Sequence, residues 1–323
     1  MGKVCVTGGS GFIGSALVRE LSARGRKVKV FDNNSRGAMK NLESVRGDIQ
    51  FIEGDIRNLD DVRNAVEGCS EVYHLAFING TEYFYNKPDL VLDVGIRGHL
   101  AVMDACAELG AETLIYASSS EVYQTPPVIP TPEDVPASIP DVLNPRYSYG
   151  GAKLAGELLT LHYRMQSPLK RIIFRPHNIY GPAMGFEHVI PQIVKKIHTA
   201  NKKNPGRPVS IEIQGDGSQT RAFCNVLDAV RGIILLGEQG NDREIYNVGV
   251  NEETSIRDLI LAICEHLGIE ATLVPGELPK GGTLRRCPDI SKLQGLGYSP
   301  EFNLHEGLRE TVQWYWSHYE DAA

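Results

Sequence analysis

A glycine-punctuated turn near the start of the chain, in VCVTGGSGFIGSALVREL, leaves few folds open to it. Gly8, Gly11 and Gly14 fall in a G-x-x-G-x-x-G spacing between a β-branched run and a stretch with helical apolar spacing. Glycines allow a tight turn and close backbone approach, and the helix N-terminus behind them offers its amides to a pyrophosphate. A glycine triplet alone is a weak signal, but an acid follows at the expected distance: Asp32 ends the second strand, in VKVFDNN, 18 residues past Gly14. A carboxylate there accepts hydrogen bonds from both adenosine ribose hydroxyls and repels a 2′-phosphate, which predicts NAD rather than NADP. Arg36, close behind in NNSRG, weighs slightly against that preference.

The alternation of strand and helix continues. KVCVTG, KVKVFD, DIQFIEGD, EVYHLA, ETLIYASSS and RIIFRPHN read as buried strands, with IGSALVRELSARG and VLDVGIRGHLAVMDACAELG as helices between them. This rhythm predicts an α/β fold, a Rossmann-type doubly wound parallel sheet that binds ligands at the carboxyl ends of its strands. After about Gly181 the rhythm changes. GPAMGFEHVIPQIVKKIHTANKK reads as a loop entering a helix, EIYNVG as one more strand, and the remainder mixes helices with turns such as VPGELPKGG. The expected division is an NAD-binding domain over 1–176 plus about 222–249, and a smaller α/β substrate-binding lobe over about 177–221 plus 250–323.

At 323 residues the chain is long enough for two joined lobes. Its net charge of −7, without a basic cluster, argues against a nucleic-acid or anionic-membrane partner. No apolar run approaches membrane-spanning length. The cysteines (Cys5, Cys69, Cys106, Cys224, Cys264 and Cys287) are scattered with no C-x-x-C pair, which predicts no metal site and a reduced, cytoplasmic protein. The chain opens directly into strand patterning, so no leader is expected.

A second constellation lies in NPRYSYGGAKLAGELLTLHY, where Tyr149 and Lys153 stand at i and i+4 and share one face of a helix. A phenol with an ordinary pKa of about 10 is a poor base at neutral pH. A nearby ammonium, with a positive nicotinamide, favours the phenolate and makes it usable. ASSSEVYQ ends the preceding strand, so a serine hydroxyl is expected at the same substrate oxygen.

With these motifs the chain resembles the extended short-chain dehydrogenase/reductase family, the NAD-dependent nucleotide-sugar epimerases, dehydratases and decarboxylases. The resemblance runs over nearly the whole chain: TGGSGFIG, the acid of FDNNS, GDI at Asp55, HLA at His74 to Ala76, SSSEVY, YGGAK, RPHNIYGP, QTRAF and RRCPD. It implies that Tyr149 takes the proton from a sugar hydroxyl, usually at C4, while NAD accepts hydride. It implies too that Lys153 lowers the Tyr149 pKa and holds the nicotinamide ribose, and that Ser119 hydrogen-bonds the sugar oxygen. The cofactor would lie along Gly8, Gly11, Phe12, Ile13, Gly14, Asp32, Asn33, Asp55, Ile56, Leu75 and Ala76, with Asp55 and Ile56 beside the adenine. Ser120, Asn178, Arg221 and Arg286 match positions that hold the nucleotide diphosphate or sugar, and a guanidinium fork suits phosphate oxygens. The chain departs from the family at Gly95 of LDVGIRG, where an asparagine is frequent; Asn79 of FINGTEYF is a candidate for that contact. His177 is also unusual, and either reaches the sugar or packs.

The remaining question is Glu121. The sugar 4,6-dehydratases carry aspartate then glutamate here, and simple 4-epimerases usually a small or hydroxyl residue. The UDP-glucuronate decarboxylases carry serine then glutamate, with a C-terminal arginine that matches Arg286; some amino-sugar dehydratases share the serine–glutamate pattern. Glu121 therefore reads as an additional acid/base or orienting residue, since a carboxylate there is costly to bury without purpose. The function expected is an NAD-dependent nucleotide-sugar epimerase/dehydratase, with a UDP-glucuronate decarboxylase-like enzyme or a non-catalytic NAD-binding scaffold as alternatives. The partners expected are a nucleotide sugar and a second copy, a homodimer built on the helix after Tyr149 and the 89–109 helix.

Overall fold

The computed structural model describes residues 2–203, 205–277 and 284–319; the later part of the VPGELPKGG turn lies outside them. Short apolar runs form β1 (Lys3–Thr7), β2 (Val28–Asp32), β3 (Ile49–Glu53), β4 (Cys69–His74), β5 (Thr113–Ala117), β6 (Lys170–Pro176) and β7 (Glu244–Val248). These are the seven strands read from the sequence, and they make one parallel sheet in the order β3-β2-β1-β4-β5-β6-β7. Central strands are covered on both faces, so their sequences run apolar without alternation: Val4, Cys5 and Val6 are fully buried. The strand order reverses between β1 and β4, which opens a crevice at their carboxyl ends.

Helices α1 (Phe12–Ala23), α2 (Leu59–Val66), α3 (His99–Leu109), α4 (Ser148–His162) and α6 (Val226–Gln239) cover the sheet, and α5 (Val189–Lys203), α7 (Ile256–Leu267) and α8 (Leu304–Ser317) build the second lobe. That lobe has its own core, where Ile190, Val194 and Ile197 meet Leu259, Ile263, Leu308 and Val312. Cys287, Ile290, Leu293 and Tyr298 return to the core shared by the sheet and α6. The six cysteines are buried free thiols.

The helix expected through LDVGIRG is not uniform. Pro88–Leu92 is α-helical, Asp93–Gly98 forms a π-helical turn, and α3 follows to a left-handed cap at Gly110 (φ 72°). Apolar spacing does not separate one helical turn from another, so the π turn was not legible. Its glycines admit close neighbours: a Cβ on Gly98 would come 2.8 Å from Ile56 Cγ2. Among the described residues, no helix is long and apolar enough to cross a membrane, and no His, Cys, Asp or Glu group could hold a metal ion.

Candidate active site

The glycine turn forms a cradle with no room for a side chain at Gly8 or Gly14. Gly8 sits in the left-handed region (φ 72°), and a Cβ there would lie 2.6 Å from the Ala76 amide nitrogen beyond β4. A Cβ on Gly14 would run into the Gly8 carbonyl oxygen. Gly11 caps α1 and donates its N–H to that same carbonyl at 3.2 Å. The Asp32 carboxylate is aimed by two backbone donors, Ser10 N–H at 3.0 Å and Asn34 N–H at 2.9 Å. Together these surfaces fit a dinucleotide: bare backbone and helix amides for a pyrophosphate, and an oriented carboxylate at the ribose position. Arg36 is turned to other partners, since its guanidinium pairs with Glu187 and lies 5.0 Å from the Tyr83 ring centroid.

A cleft of about 490 Å³ runs from this cradle across the carboxyl ends of the strands. Gly8, Gly11, Phe12, Ile13, Gly14, Asp32, Asn33, Asp55, Ile56, Leu75 and Ala76 all line it, as do Ser119, Ser120, Glu121, Tyr149, Lys153, Asn178 and Arg286. Within that set the Asp55 carboxylate is engaged by Arg57 at 2.6 Å, which holds it ionised. Arg221 is drawn alongside Arg286 rather than onto the cleft wall.

Tyr149 and Lys153 project from one face of α4, as their spacing requires. Phe84 stacks on the Tyr149 ring with centroids 4.8 Å apart, and Phe77 meets it edge-on at 5.2 Å. Burial pushes the Tyr149 phenol up to about 12; the Ser119 hydroxyl works against that shift and the Glu121 charge adds to it. The lowering expected from Lys153 belongs to a site that also holds the positive nicotinamide. The Lys153 ammonium donates instead to the Ala117 carbonyl at 2.6 Å, with Nζ 5.8 Å from the Tyr149 ring centroid. Burial also brings Lys153 down to about 7, partly opposed by Glu157. Behind the pair, Glu157 accepts a two-pronged bond from Arg175 (2.8 and 2.7 Å) and another from Ser118, which locks α4 to β5 and β6.

Ser119 caps the short 3₁₀ turn Ser120–Tyr123, its Oγ accepting from Glu121 N–H at 3.2 Å. This turn brings Glu121 to the far end of the cleft. There Arg286 Nη1 donates to Glu121 Oε1 at 2.5 Å. Burial pushes the Glu121 carboxyl up, but the Arg286 charge and hydrogen bond, with Arg146 and Arg221, hold it below the usual carboxylate range. Arg286 and Arg221 stand opposite each other on paired two-residue strands, Arg285–Arg286 and Thr220–Arg221. Burial and the neighbouring Arg286 bring Arg221 down to about 10. Like charges opposed across a strand pair are unfavourable unless an anion compensates, and Glu121 supplies one.

Asn178 adopts a left-handed backbone (φ 41°), which asparagine tolerates, and its amide reaches the Ala222 carbonyl at 3.4 Å. His177 packs rather than facing the sugar site: it is buried, bonds Asn247 Oδ1 at 2.9 Å and is pushed to about 3 by burial. Asn79 lines the cleft, its Oδ1 accepting from the adjacent Gly80 N–H. At Gly95 the nearby space is filled by Phe77 and Ala152. Sequence reasoning missed Arg146, Phe77, Phe84 and Glu187, all of which line the cleft. Arg146 had a readable signal, three residues before Tyr149 in NPRYSYGGAK; the aromatic walls had none before the fold brought them to Tyr149.

Fold and site together define a Rossmann-type dinucleotide protein with a Ser–Tyr–Lys cluster at its strand ends. A family model described as the NAD dependent epimerase/dehydratase family matches residues 4–249. The chain belongs to that family, within the extended short-chain dehydrogenase/reductases, and NAD is its cofactor. It is 32% identical to a UDP-N-acetyl-alpha-D-glucosaminuronate decarboxylase of Bacillus cytotoxicus, over 98% of both chains. It is equally similar, at 32%, to a UDP-glucose 4-epimerase of Mycolicibacterium smegmatis, over 97% of this chain and 98% of that one. Among solved structures, a UDP-glucose 4-epimerase of Thermus thermophilus in complex with NAD superposes with a TM-score of 0.83 at 28% identity, covering 97% and 98% of the two chains.

Proposed function

We propose that the protein is an enzyme that oxidises a nucleotide-linked uronic acid transiently at C4 and releases its C6 carboxylate as carbon dioxide. The observation that carries this reading is the Arg286–Glu121 ion pair on the wall of the cleft that also holds Tyr149. NAD, when bound along the cradle, supplies hydride acceptance and return at sugar C4. Tyr149 would take and later return the C4 hydroxyl proton, with Ser119 hydrogen-bonded to the same oxygen. A ketone at C4 turns the C6 carboxylate into a β-keto acid. Cleavage of the C5–C6 bond then sends its electron pair toward the C4 oxygen, where the two hydroxyls donate, and a proton adds at C5.

Arg286 suits a substrate carboxylate by charge and fork geometry. Glu121, held below the usual carboxylate range, stays ionised and anchors that arginine. The same lowering makes Glu121 a weak base for C5 proton removal, and Ser120 stands where water elimination would want an acid. These points favour decarboxylation over dehydration. The Bacillus relative, named a decarboxylase of a UDP-linked uronic acid, supports the reading. Purified protein with UDP-glucuronate tests it: Glu121→Gln and Arg286→Gln should each slow carbon dioxide release about 100-fold or more while retaining NAD. Release unchanged in both variants would contradict it.

A homodimer is part of the proposal. Leu92, Leu109 and Leu158 are exposed on the 88–109 segment and on α4, the two elements expected to pair. Sedimentation velocity showing a monomer would rule this out.

A further inference from the structure

We propose that Phe77 is a positioning residue for Lys153: its ring face holds the ammonium in place beside Tyr149, and residue 95 is glycine so that this ring fits. The inference rests on reading Tyr149 and Lys153 as the acid–base pair.

Three observations converge on Phe77. Lys153 Nζ lies 3.8 Å from the Phe77 ring centroid, well inside the roughly 6 Å reach of a cation–π contact, and it does so in a buried setting where such contacts are strongest. The Ala117 carbonyl accepts from the ammonium at 2.6 Å, so the ring face meets a cation already fixed from one side. The Phe77 ring also packs close against the π-helical turn Asp93–Gly98. A Cβ on Gly95 would come 2.6 Å from Phe77 Cζ, 2.8 Å from its Cε2 and 2.9 Å from Ala152 Cβ. The same ring meets Tyr149 edge-on, so one side chain touches both members of the pair and the backbone beneath them.

The charges around Lys153 give this contact weight. From α4, Tyr149 and Glu157 face it; from β5, Tyr116 and the Ala117 carbonyl; from β4, His74; from α3, His99. Burial keeps both imidazoles neutral, with His99 pushed to about 3 and His74 lowered as well. Glu157 supplies the opposing charge, but its oxygens are engaged by Arg175 and Ser118. Burial leaves Lys153 titrating at about 7, so even a modest loss of support for the cation changes its protonation in the neutral range.

The test is a pH titration of the Lys153 side chain by NMR in protein carrying ¹³Cε-lysine, the signal assigned from Lys153→Arg; it needs no substrate. Phe77→Leu keeps an apolar side chain and removes the ring face. Its Lys153 midpoint should fall by about 0.4 to 1.5 pH units, while Phe77→Tyr should restore it. Gly95→Ala, which displaces the ring, should lower the midpoint in the same direction, and adding it to Phe77→Leu should bring no further fall. A midpoint unchanged in Phe77→Leu, or in Gly95→Ala where the first variant does not fold, overturns the proposal. Turnover of Tyr149→Phe is measured in parallel. Full turnover there overturns the reading of the pair and this proposal with it, whereas an inactive Tyr149→Phe beside an unmoved midpoint overturns the role of Phe77 alone.

Discussion

Tyr149 is a phenol walled by Phe77 and Phe84 and pushed up to about 12 by burial. Used as a base, a phenol so placed would need positive charge beside it, which would tie that use to the loaded site. Tyr149→Phe removes the proton-transferring oxygen while keeping the ring packed, so kcat should drop by about 10²- to 10⁴-fold with NAD affinity retained by calorimetry. An unaltered kcat would contradict its role. Glu121 carries a pH dependence of definite sign. Its folded value lies below the ordinary 4.5, so its stabilising contribution is full above that value and is lost as pH falls through the lowered folded one. The stability difference between wild type and Glu121→Gln, from urea unfolding, should therefore be flat at neutral pH and change only in the acid range. A change confined to neutral pH would point to a different partner. At this scale the sequence exposed Tyr149 and Lys153 because their i, i+4 spacing is local, and Ser119 because its motif ends a strand. Phe77 and Phe84 were hidden, because their meaning depends on which ring they touch.

Two of the elements that build the site are a turn with no room for a side chain at Gly8 or Gly14 and a helix locked from behind. Gly14→Ala drives a methyl into the Gly8 carbonyl oxygen at the first turn of α1. NAD should then give no thermal shift in a protein that still shows the α/β circular-dichroism signature; a wild-type shift would contradict the cradle. Glu157 and Arg175 are both only 4% exposed, and they tie α4 to β6. Glu157→Ala leaves a guanidinium buried without its partner, a loss of about 3–5 kcal/mol, read as a lowered denaturation midpoint. A change within experimental scatter would mean that water or another group compensates. The central sheet strands were legible because burial on both faces makes them continuous apolar runs, and the outer ones, such as IQFIE, because they remain short and rich in β-branched and aromatic residues. The glycine spacing likewise announced the start of α1. The π turn at Asp93–Gly98 and the helix Thr81–Asn86 were not legible: Gly95 makes sense only once Phe77 is seen above it, and TEYFYN carries no apolar period of its own.

Across the whole molecule, the cleft joins two stretches that the sequence keeps far apart. Glu121 and Arg286 are 165 residues distant in the chain, and it is the return of the C-terminal segment through Arg285–Arg286 and Cys287 that brings them together. Motif resemblance named both residues, but their pairing, and with it the lowered Glu121, came only from the fold. In the proposed reading, that pairing is what separates a carboxylate-handling site from a bare C4 redox site. The measurement that tests this most directly is mass spectrometry of the products formed from a panel of nucleotide sugars and nucleotide-linked uronic acids in heavy water. A nucleotide-linked uronic acid should lose carbon dioxide and gain one deuterium at C5. An isomer formed with neither mass loss nor deuterium would contradict it, and would make the chemistry a simple return of hydride at C4.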